Sequence, residues 1–237
     1  MPSLFLNVVK VSTVTKGLTR ERIVATAMDL LDEHGIDGVT ARALATRLEV
    51  KASALYWHVR DKQELLDEMG TEIQRRVNAE LPGVIDGRTW REGLAGYARV
   101  LRAEYLAHRD GARTFSGTRL TDPEVLRALE PWLQVWTSAG IALQAAVDAA
   151  ELVTSFVVGF VIEEQERRQS DAVRYSLDVR DATVGPGAPL VVAAGHVGGD
   201  HEARFERQLT IILAGLDARL VAGSEHTSDH PGDAITG

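Results

Sequence analysis

The sequence predicts an all-α protein. Apolar residues recur every three or four positions through almost all of the chain up to about residue 167, whereas the alternation typical of strands is nearly absent. Capping residues and glycines separate the periodic segments. We expect an N-terminal helical domain at 18–80 and a larger helical domain at 81–223. An N-terminal extension (1–17) and a polar tail (224–237) flank them, and both are expected to be disordered.

The composition narrows the class of protein. The 237 residues carry a net charge of −8 and contain no cysteine, which excludes a disulfide scaffold, a zinc finger and a thiol nucleophile and suits a reducing cytoplasm. We find no membrane-spanning run of about 20 apolar residues and no signal peptide. Residues 39–62 are locally basic, with five Lys/Arg against two Asp/Glu, in a chain that is acidic overall.

Capping signals divide the first domain into short helices. Thr19 is the expected N-cap of the first helix and Thr40 that of a short helix, "ARALATRL". Three residues later a second short helix, "ASALYWHV", follows. Asp61 and Glu64 form a D-x-x-E capping box for a longer helix that is predicted to end near Glu80, before "LPGVIDG".

Two short helices joined by three residues have the size of a helix-turn-helix, whose second helix enters the DNA major groove. A turn of about 100° per residue places Leu55 and Val59 toward the preceding helix and Trp57 almost directly away from it. An outward tryptophan suits a face that meets DNA, with Arg42 and Lys62 supplying positive charge. The alternative, that these aromatic residues are ordinary packing residues, fits the capped three-helix context poorly.

The second domain is predicted from longer periodic segments. "WREGLAGYARVLRAEYLAH" and "TDPEVLRALEPWLQVW" are helical, with a kink at Pro131 in the second. Residues 143–167 form a helix that is apolar all round, and 168–200 form a Gly/Pro-rich connection with one helical turn at 189–194. The last helix, 202–221, has an apolar stripe. We expect the helices at 143–167 and 202–221 to pair across a two-fold axis as a four-helix dimer interface.

The chain resembles a known family. Residues 18–69, "LTRERIVATAMDLLDEHGIDGVTARALATRLEVKASALYWHVRDKQELLDEM", are similar to the DNA-binding domain of the tetracycline-repressor (TetR) family, and "HRDGARTFSGTR" (108–119) and "VIEEQE" (161–166) are similar to segments of the tetracycline-repressor class. The resemblance implies an all-α homodimer with a helix-turn-helix DNA-binding domain and a larger ligand-binding and dimerisation domain. It further implies a ligand-responsive repressor without a cofactor, which a small organic effector releases from palindromic double-stranded operator DNA.

The resemblance also assigns residues to DNA. Arg42 occupies the place of a base-reading arginine, and Ala52 and Ser53 replace a polar base reader and a proline, so we expect a different operator sequence. The full predicted set of DNA-contacting residues is Thr40, Arg42, Ala52, Ser53, Tyr56, Trp57, His58 and Lys62.

In the implied pocket, Phe115 occupies the place of a metal-binding histidine, Tyr97 that of an asparagine and Asn78 that of a histidine. Phenylalanine has no donor atom for magnesium, so we predict no metal site and an organic, largely apolar or aromatic effector. The predicted ligand-contacting residues are Asn78, Tyr97, Leu101, Phe115, Thr118, Arg119, Leu120, Trp132 and Trp136, with Glu163 reaching in from the second subunit. We expect the two tryptophans to close the mouth of the pocket.

Other functions fit less well. The tripeptide "HRD" (108–110) occurs in kinase catalytic loops, but no glycine-rich loop or D-F-G accompanies it. The acids of "EEQE" (163–166) are consecutive and diverge around a helix. We therefore predict that the protein is not an enzyme. A helical interaction protein, or a regulator of this fold without an effector, remains the alternative, and a gel shift with DNA flanking the gene separates the two functions.

Overall fold

The computed structural model describes residues 17–86, 88–171 and 173–225, and within these ranges it contains helices and no strand, as predicted. The predicted disorder of the extension and the tail concerns segments that lie almost wholly outside the described residues. The helices are α1 Arg20–His34, α2 Ala41–Leu48, α3 Ala52–Leu55, α4 Lys62–Ile85, α5 Trp90–Ala107, α6 Gly111–Phe115, α7 Pro123–Arg127, α8 Glu130–Ser138, α9 Leu143–Gln169, α10 Leu177–Val184, α11 Pro189–His196 and α12 His201–Glu225.

The first three helices form a small domain around α1. Thr19 and Thr40 are the N-caps of α1 and α2, as predicted, and their hydroxyl groups accept hydrogen bonds from the amides of Arg22 and Ala43. Helix α1 packs against α2 and α4, and α2 packs against α3. The core between them is built from fully buried apolar side chains, which include Ile23, Ala27, Leu31, Leu44 and Leu55.

Helix α3 is shorter than predicted. It ends at Leu55, and residues 56–58 form a turn in which the amide of His58 donates to the carbonyl of Leu55. This i→i+3 bond is tighter than an α-helical bond. The predicted helix over 52–59 was therefore too long, although the turn keeps the outward direction of the aromatic residues.

Helix α4 is longer than predicted. Asp61 caps it through the amide of Glu64, as predicted, but the Glu64 carboxylate accepts from the amide of Arg60, so only half of the capping box is present. The helix continues through Pro82 to Ile85 because proline removes a single backbone donor in the last turn, and the amide of Asp86 still bonds the Pro82 carbonyl. A single helix thus crosses the predicted domain boundary between residues 80 and 81. The position of that boundary stays a prediction.

The larger domain is built around α5 and α9. Helix α5 packs along α4 and against α6, α9 and α12, and α9 packs also against α6, α8 and α12. By length and composition α9 would be able to cross a membrane. In this fold it is the central helix of the domain, with one face buried at Ala146, Ala149, Val153, Val157 and Val161.

A buried ion pair joins α5, α9 and α12. The Glu164 side chain is fully buried, and its two oxygens accept from Nε and Nη2 of Arg102 at 3.0 and 3.1 Å. Arg102 also donates to Glu202 of α12 and lies 4.7 Å from the centre of the Phe205 ring. Burial opposes the charge of Arg102, but the bonds to both carboxylates outweigh it and raise the pKa of the guanidinium. Three helices are therefore held by one cation.

Replacing Arg102 with methionine is expected to lower the free energy of unfolding by about 1.5–3 kcal/mol, because the buried Glu164 carboxylate loses two charged hydrogen bonds and keeps its bond to Arg168. Urea unfolding measures this loss. The matched control is Arg99→Ala, which removes the half-exposed pair between α5 and Glu206 of α12 and should cost about 0–1 kcal/mol. Equal losses for the two variants would contradict a special role for the buried pair.

Two sequence predictions for the larger domain need correction. Pro131 does not kink a helix, because α7 ends at Arg127 and the proline falls in the first turn of α8, where a proline is tolerated. The region 168–200 is not one long connection, since α10 and α11 form a helical pair. Arg180 of α10 holds this pair by donating to the carbonyls of Val191 and Val192. Among the described residues of α10 and α11 none is buried.

The apolar stripe of α12 faces the core of its own subunit. Phe205, Leu209 and Leu213 are 0%, 1% and 5% exposed, and the Phe205 ring stacks on Phe156 of α9. Three of the six side chains of the stripe that the sequence assigned to the dimer interface are therefore buried within the subunit, whereas Ile212, Leu216 and Leu220 are half-buried. Among the side chains of α12 that the structure describes, the exposed large apolar one is Ile211, on the opposite side of the helix.

Candidate DNA-binding surface and ligand cavity

The outer face of the helix-turn-helix carries two exposed aromatic side chains. Trp57 is 88% exposed and Tyr56 is 57% exposed, whereas Leu55 and Val59 are buried. The structure therefore confirms the orientation that helical spacing predicted for these residues. No packing role accounts for Trp57, since nearly all of its indole is open to solvent.

Most of the other residues predicted to contact DNA are also open to solvent. Arg42, Ala52, Ser53 and Lys62 are exposed, and His58 is half-buried. A crevice of about 390 Å³ brings together Thr40, Tyr56 and Lys62, which come from α2, the turn after α3 and α4. The N-termini of α2 and α4 open at this crevice, and helix N-termini favour anions such as phosphate.

Sequence reasoning missed Arg60. This residue lines the crevice with Lys62, its side chain is 78% exposed, and its Nε lies 3.1 Å from Glu64. The excess of basic residues over 39–62 was the available signal. An exposed arginine at this position adds a second cation beside the N-terminus of α4.

A cavity of about 500 Å³ lies between α4, α5, α6, the loop after α6 and α9. Its lining residues are Gly70, Ile73, Gln74, Tyr105, Phe115, Ser116, Gly117, Thr118, Leu120, Thr154, Ser155, Val158 and Gly159. Gly70 permits the close approach of α4 to the loop, because a Cβ there would lie 2.2 Å from the Thr118 hydroxyl. The walls combine aromatic rings with hydroxyl and amide groups.

Phe115 is the aromatic centre of this wall. Its ring is 5% exposed, stacks on Tyr105 at 6.0 Å and meets the His108 ring edge-on at 6.0 Å. Burial, with a smaller contribution from Tyr97, raises the pKa of Tyr105 far above its ordinary value, so this phenol stays protonated. The wall therefore presents neutral aromatic surface.

Three of the predicted ligand residues line the cavity, namely Phe115, Thr118 and Leu120. Tyr97 lies behind the wall and its hydroxyl is 2.9 Å from that of Thr154. Asn78 is bonded to Gln74, a lining residue, and to the carbonyl of Val125. The remaining predicted residues are not among those that line the cavity.

Trp136 was wrongly expected at the mouth of the pocket. It is fully buried and packs between Trp90 and Trp132, with ring centres 5.1 and 4.9 Å away, so it belongs to the core. Trp132 is also buried, against Tyr97, and its indole nitrogen has no hydrogen-bond partner among the described residues. Leu101 is a core residue with 1% exposure.

Two charged residues predicted to contact the ligand point to solvent within one subunit. The Arg119 side chain is 75% exposed and lies 4.0 Å from Asp67. The Glu163 side chain is 67% exposed and lies 3.7 Å from Arg167. The role of Glu163 in a second subunit stays a prediction. Sequence reasoning missed Gln74, Tyr105, Thr154 and Ser155; the polar pair at 154–155 within an apolar helix was the one available signal.

Comparison with known proteins agrees with this architecture. The family model for bacterial regulatory proteins of the tetR family matches residues 23–69, and the model for the tetracyclin repressor-like C-terminal domain matches residues 83–220. The chain belongs to the TetR family. It is a DNA-binding transcriptional repressor that responds to a small ligand and acts as a homodimer, as the sequence predicted.

Individual TetR-family relatives cover almost the whole fold. The chain is 35% identical to the class C tetracycline repressor of Escherichia coli over 206 residues, which are 84% of this chain and 91% of the relative. A crystal structure of a possible TetR-family regulator from Streptomyces coelicolor A3(2) has a TM-score of 0.73 at 37% identity, covering 84% of this chain and 98% of that one.

A second structure from Streptomyces coelicolor, that of ActR in complex with actinorhodin, has a TM-score of 0.73 at 31% identity and covers 88% of this chain and 99% of that one. TetR-family members are DNA-binding regulators rather than enzymes. The interpretation of "HRD" and "EEQE" as non-catalytic is consistent with this membership.

Proposed function

We propose that this TetR-family protein is a cytoplasmic repressor that binds a palindromic operator as a homodimer and is released by an organic, largely aromatic effector without a metal ion. The outward Trp57 carries the DNA part of the proposal, and the cavity wall built on Phe115 carries the effector part. Each part is tested separately.

The DNA surface supports recognition of one major groove by each subunit. Tyr56 and Trp57 stand out from the turn after α3, and Arg42 is exposed in the first turn of α2. Lys62 and Arg60 lie beside two helix N-termini, where phosphate oxygens are favoured. A two-fold dimer that reads successive major grooves requires two such surfaces about 34–36 Å apart, which corresponds to a palindromic site.

Lys62→Ala is expected to weaken binding to all duplexes and to reduce the slope of log K against log [salt] by about 1, because one phosphate contact is lost. Arg42→Ala should instead relax the preference at one base pair in each half-site, at a cost of about 1–3 kcal/mol for a guanine contact. Fluorescence anisotropy with a duplex selected from a random library, and with random DNA, measures both effects.

The control for these substitutions is Arg127→Ala. Arg127 is a highly exposed arginine of α7 in the larger domain, and its removal should leave the affinity for the selected duplex unchanged. Equal losses on selected and random DNA for Arg42→Ala would show that this arginine only anchors phosphate. Selection of no duplex by the wild-type dimer would contradict the DNA part of the proposal.

The exposed apolar side chains indicate how the subunits meet. Leu152 of α9 is 50% exposed and Ile211 of α12 is 70% exposed. A bundle of α9 and α12 with their symmetry mates covers these residues. This arrangement keeps the predicted helices but changes the residues at the interface.

The cavity supports an aromatic effector that carries oxygen atoms. Phe115 and Tyr105 offer ring surface, and Thr118, Ser116, Thr154 and Gln74 offer hydrogen-bonding groups on the same wall. A few placed polar groups on an apolar wall are the usual lining of a small-molecule site. The similar structure with bound actinorhodin makes this aromatic polyketide a suitable first probe. A regulator without an effector would show no release by any such compound.

A further inference from the structure

The crevice on the DNA-binding domain has an apolar floor. The crevice measures about 390 Å³ and lies where the start of α2, the turn after α3 and the start of α4 meet. Five of its lining side chains belong to the core of the domain and are buried, and we call them the crevice floor: Val39, Leu44, Leu55, Val59 and Leu65. Phosphate groups of DNA contact cations and hydrogen-bond donors, so a role in phosphate binding leaves this floor unused.

The rim of the crevice is polar and carries two cations. Arg60 and Lys62 are exposed on it, together with Thr40, Tyr56 and Asp61. The Asp61 carboxylate caps α4, since its Oδ1 accepts from the amide of Glu64 at 2.8 Å. The rim therefore combines one carboxylate that is bonded within the protein with two positively charged side chains.

The two rim cations retain donors for an anion. Among the described residues no carboxylate lies within 4 Å of the Lys62 ammonium group, and its Nζ donates to the carbonyl of Ile36 at 3.4 Å. Arg60 bonds Glu64 through its Nε at 3.1 Å, and within the described part of the chain its two Nη groups have no partner. An ammonium group has three N–H donors and a guanidinium has five, so most of these donors are open to a ligand.

An apolar floor beside such cations suits a ligand that has both properties. Burial of apolar surface is favourable in proportion to the area removed from water. A carboxylate makes charge-assisted hydrogen bonds with ammonium and guanidinium groups. The volume of the crevice lies in the range of small-molecule sites. An inorganic anion would leave the floor uncovered, and a neutral apolar molecule would leave the cations without a partner.

We propose that this crevice is a second small-molecule site, which binds an amphiphilic carboxylate with an apolar body of about ten carbon atoms. The apolar body lies on the crevice floor, and the carboxylate accepts from Lys62 and Arg60. The same cations are the proposed phosphate contacts, so the bound carboxylate and bound DNA exclude each other. This competition rests on the proposed function, whereas binding to the crevice does not. The site is separate from the effector cavity between α4, α5, α6 and α9.

Methyl NMR of the full-length protein without DNA locates the ligand. The probe is 2-naphthoate, added to protein in which the Leu and Val methyl groups are labelled. The methyl signals of the crevice floor should shift along a saturable curve. Shifts confined to Leu120 and Val158, which line the effector cavity, would overturn the proposal. Unchanged signals of the crevice floor at the highest naphthoate concentration would also overturn it.

Two related compounds separate the role of the charge from that of the floor. The neutral 2-naphthamide has nearly the same shape as 2-naphthoate and should bind the crevice about 5-fold more weakly or worse, because it accepts no charge-assisted bond. Acetate keeps the charge without the apolar body and should bind about 10-fold more weakly or worse. Equal affinity for either compound and 2-naphthoate would overturn the proposal.

Two lysine variants test the position of the carboxylate. Lys62→Ala should weaken binding of 2-naphthoate by about 5-fold or more, since a charged hydrogen bond is lost. The matched control is Lys51→Ala. Lys51 is an exposed lysine at the N-cap of α3 in the same domain and does not line the crevice, so its removal should change the affinity less than about 2-fold. Equal losses for the two variants would indicate general attraction to a basic surface and would overturn the assignment.

Competition with DNA is measured by anisotropy with the duplex selected by the wild-type protein. The apparent Kd for this duplex should rise in proportion to the concentration of 2-naphthoate, because the ligand binds only DNA-free protein. A plateau would show that the ligand also binds the DNA complex and would overturn mutual exclusion. If the wild-type protein selects no duplex, the proposed function fails while the floor shifts stand. Unchanged floor signals in a protein that selects a duplex contradict this inference alone.

Discussion

Ile211→Glu is expected to convert the dimer into monomers and to lower operator affinity by about 100-fold or more, because the two reading heads then bind as separate molecules. Ile211 is 70% exposed on α12, and Leu152 is half-exposed on α9. A large apolar side chain left in water by one subunit is stabilised when a second subunit covers it. Two opposed glutamates at such an interface would be desolvated and would repel each other.

Sedimentation velocity and anisotropy with the selected duplex measure the two effects. The control is Leu126→Glu, since Leu126 is also half-exposed but lies on α7, and this variant should remain dimeric. Leu213→Glu and Val157→Glu are unsuitable tests, because both side chains are buried within the subunit and a charge there would unfold it. A dimer of unchanged affinity for Ile211→Glu would place the interface elsewhere on the molecule.

The local features of the first domain were predictable from the sequence. Thr19, Thr40 and Asp61 act as N-caps where the sequence placed them, because an N-cap depends on the residue and its next three neighbours. The outward direction of Trp57 followed from the angular relation to Leu55 and Val59. Short-range geometry was sufficient for these features.

Features that depend on distant packing were less predictable. The stripe of α12 has the same spacing whether it faces its own subunit or a partner, so the sequence did not show that Leu213 lies in the core of its own subunit. Helix α10 was missed because it buries no residue and therefore lacks an apolar period. Tyr105 and Gln74 meet Thr154 at the cavity only through the packing of α4, α5 and α9, which no local pattern specifies.

Release of the operator DNA by the effector is expected not to depend on a metal ion. Phe115 stands where the resemblance places a metal-binding histidine, and its ring offers no lone pair to magnesium. The ring instead stacks on Tyr105 within the cavity wall, and aromatic pairs add about 0.5–1.5 kcal/mol beyond the area that they bury. A planar aromatic effector can replace such a contact. A magnesium chelate, in contrast, lacks the protein donor atom that a histidine would supply at position 115.

Titration of the protein–duplex complex with actinorhodin in EDTA should therefore release the DNA, and added magnesium should change the midpoint less than about 2-fold. To change the ratio of DNA-bound to released protein from 99:1 to 1:99, the effector must bind the released state about 10⁴-fold more tightly than the DNA-bound state. Phe115→Ala should weaken the response about 10-fold or more, the loss expected for truncating a buried aromatic anchor. Release by tetracycline with magnesium that EDTA abolishes would contradict this expectation, because Phe115 would then be no obstacle to a chelate.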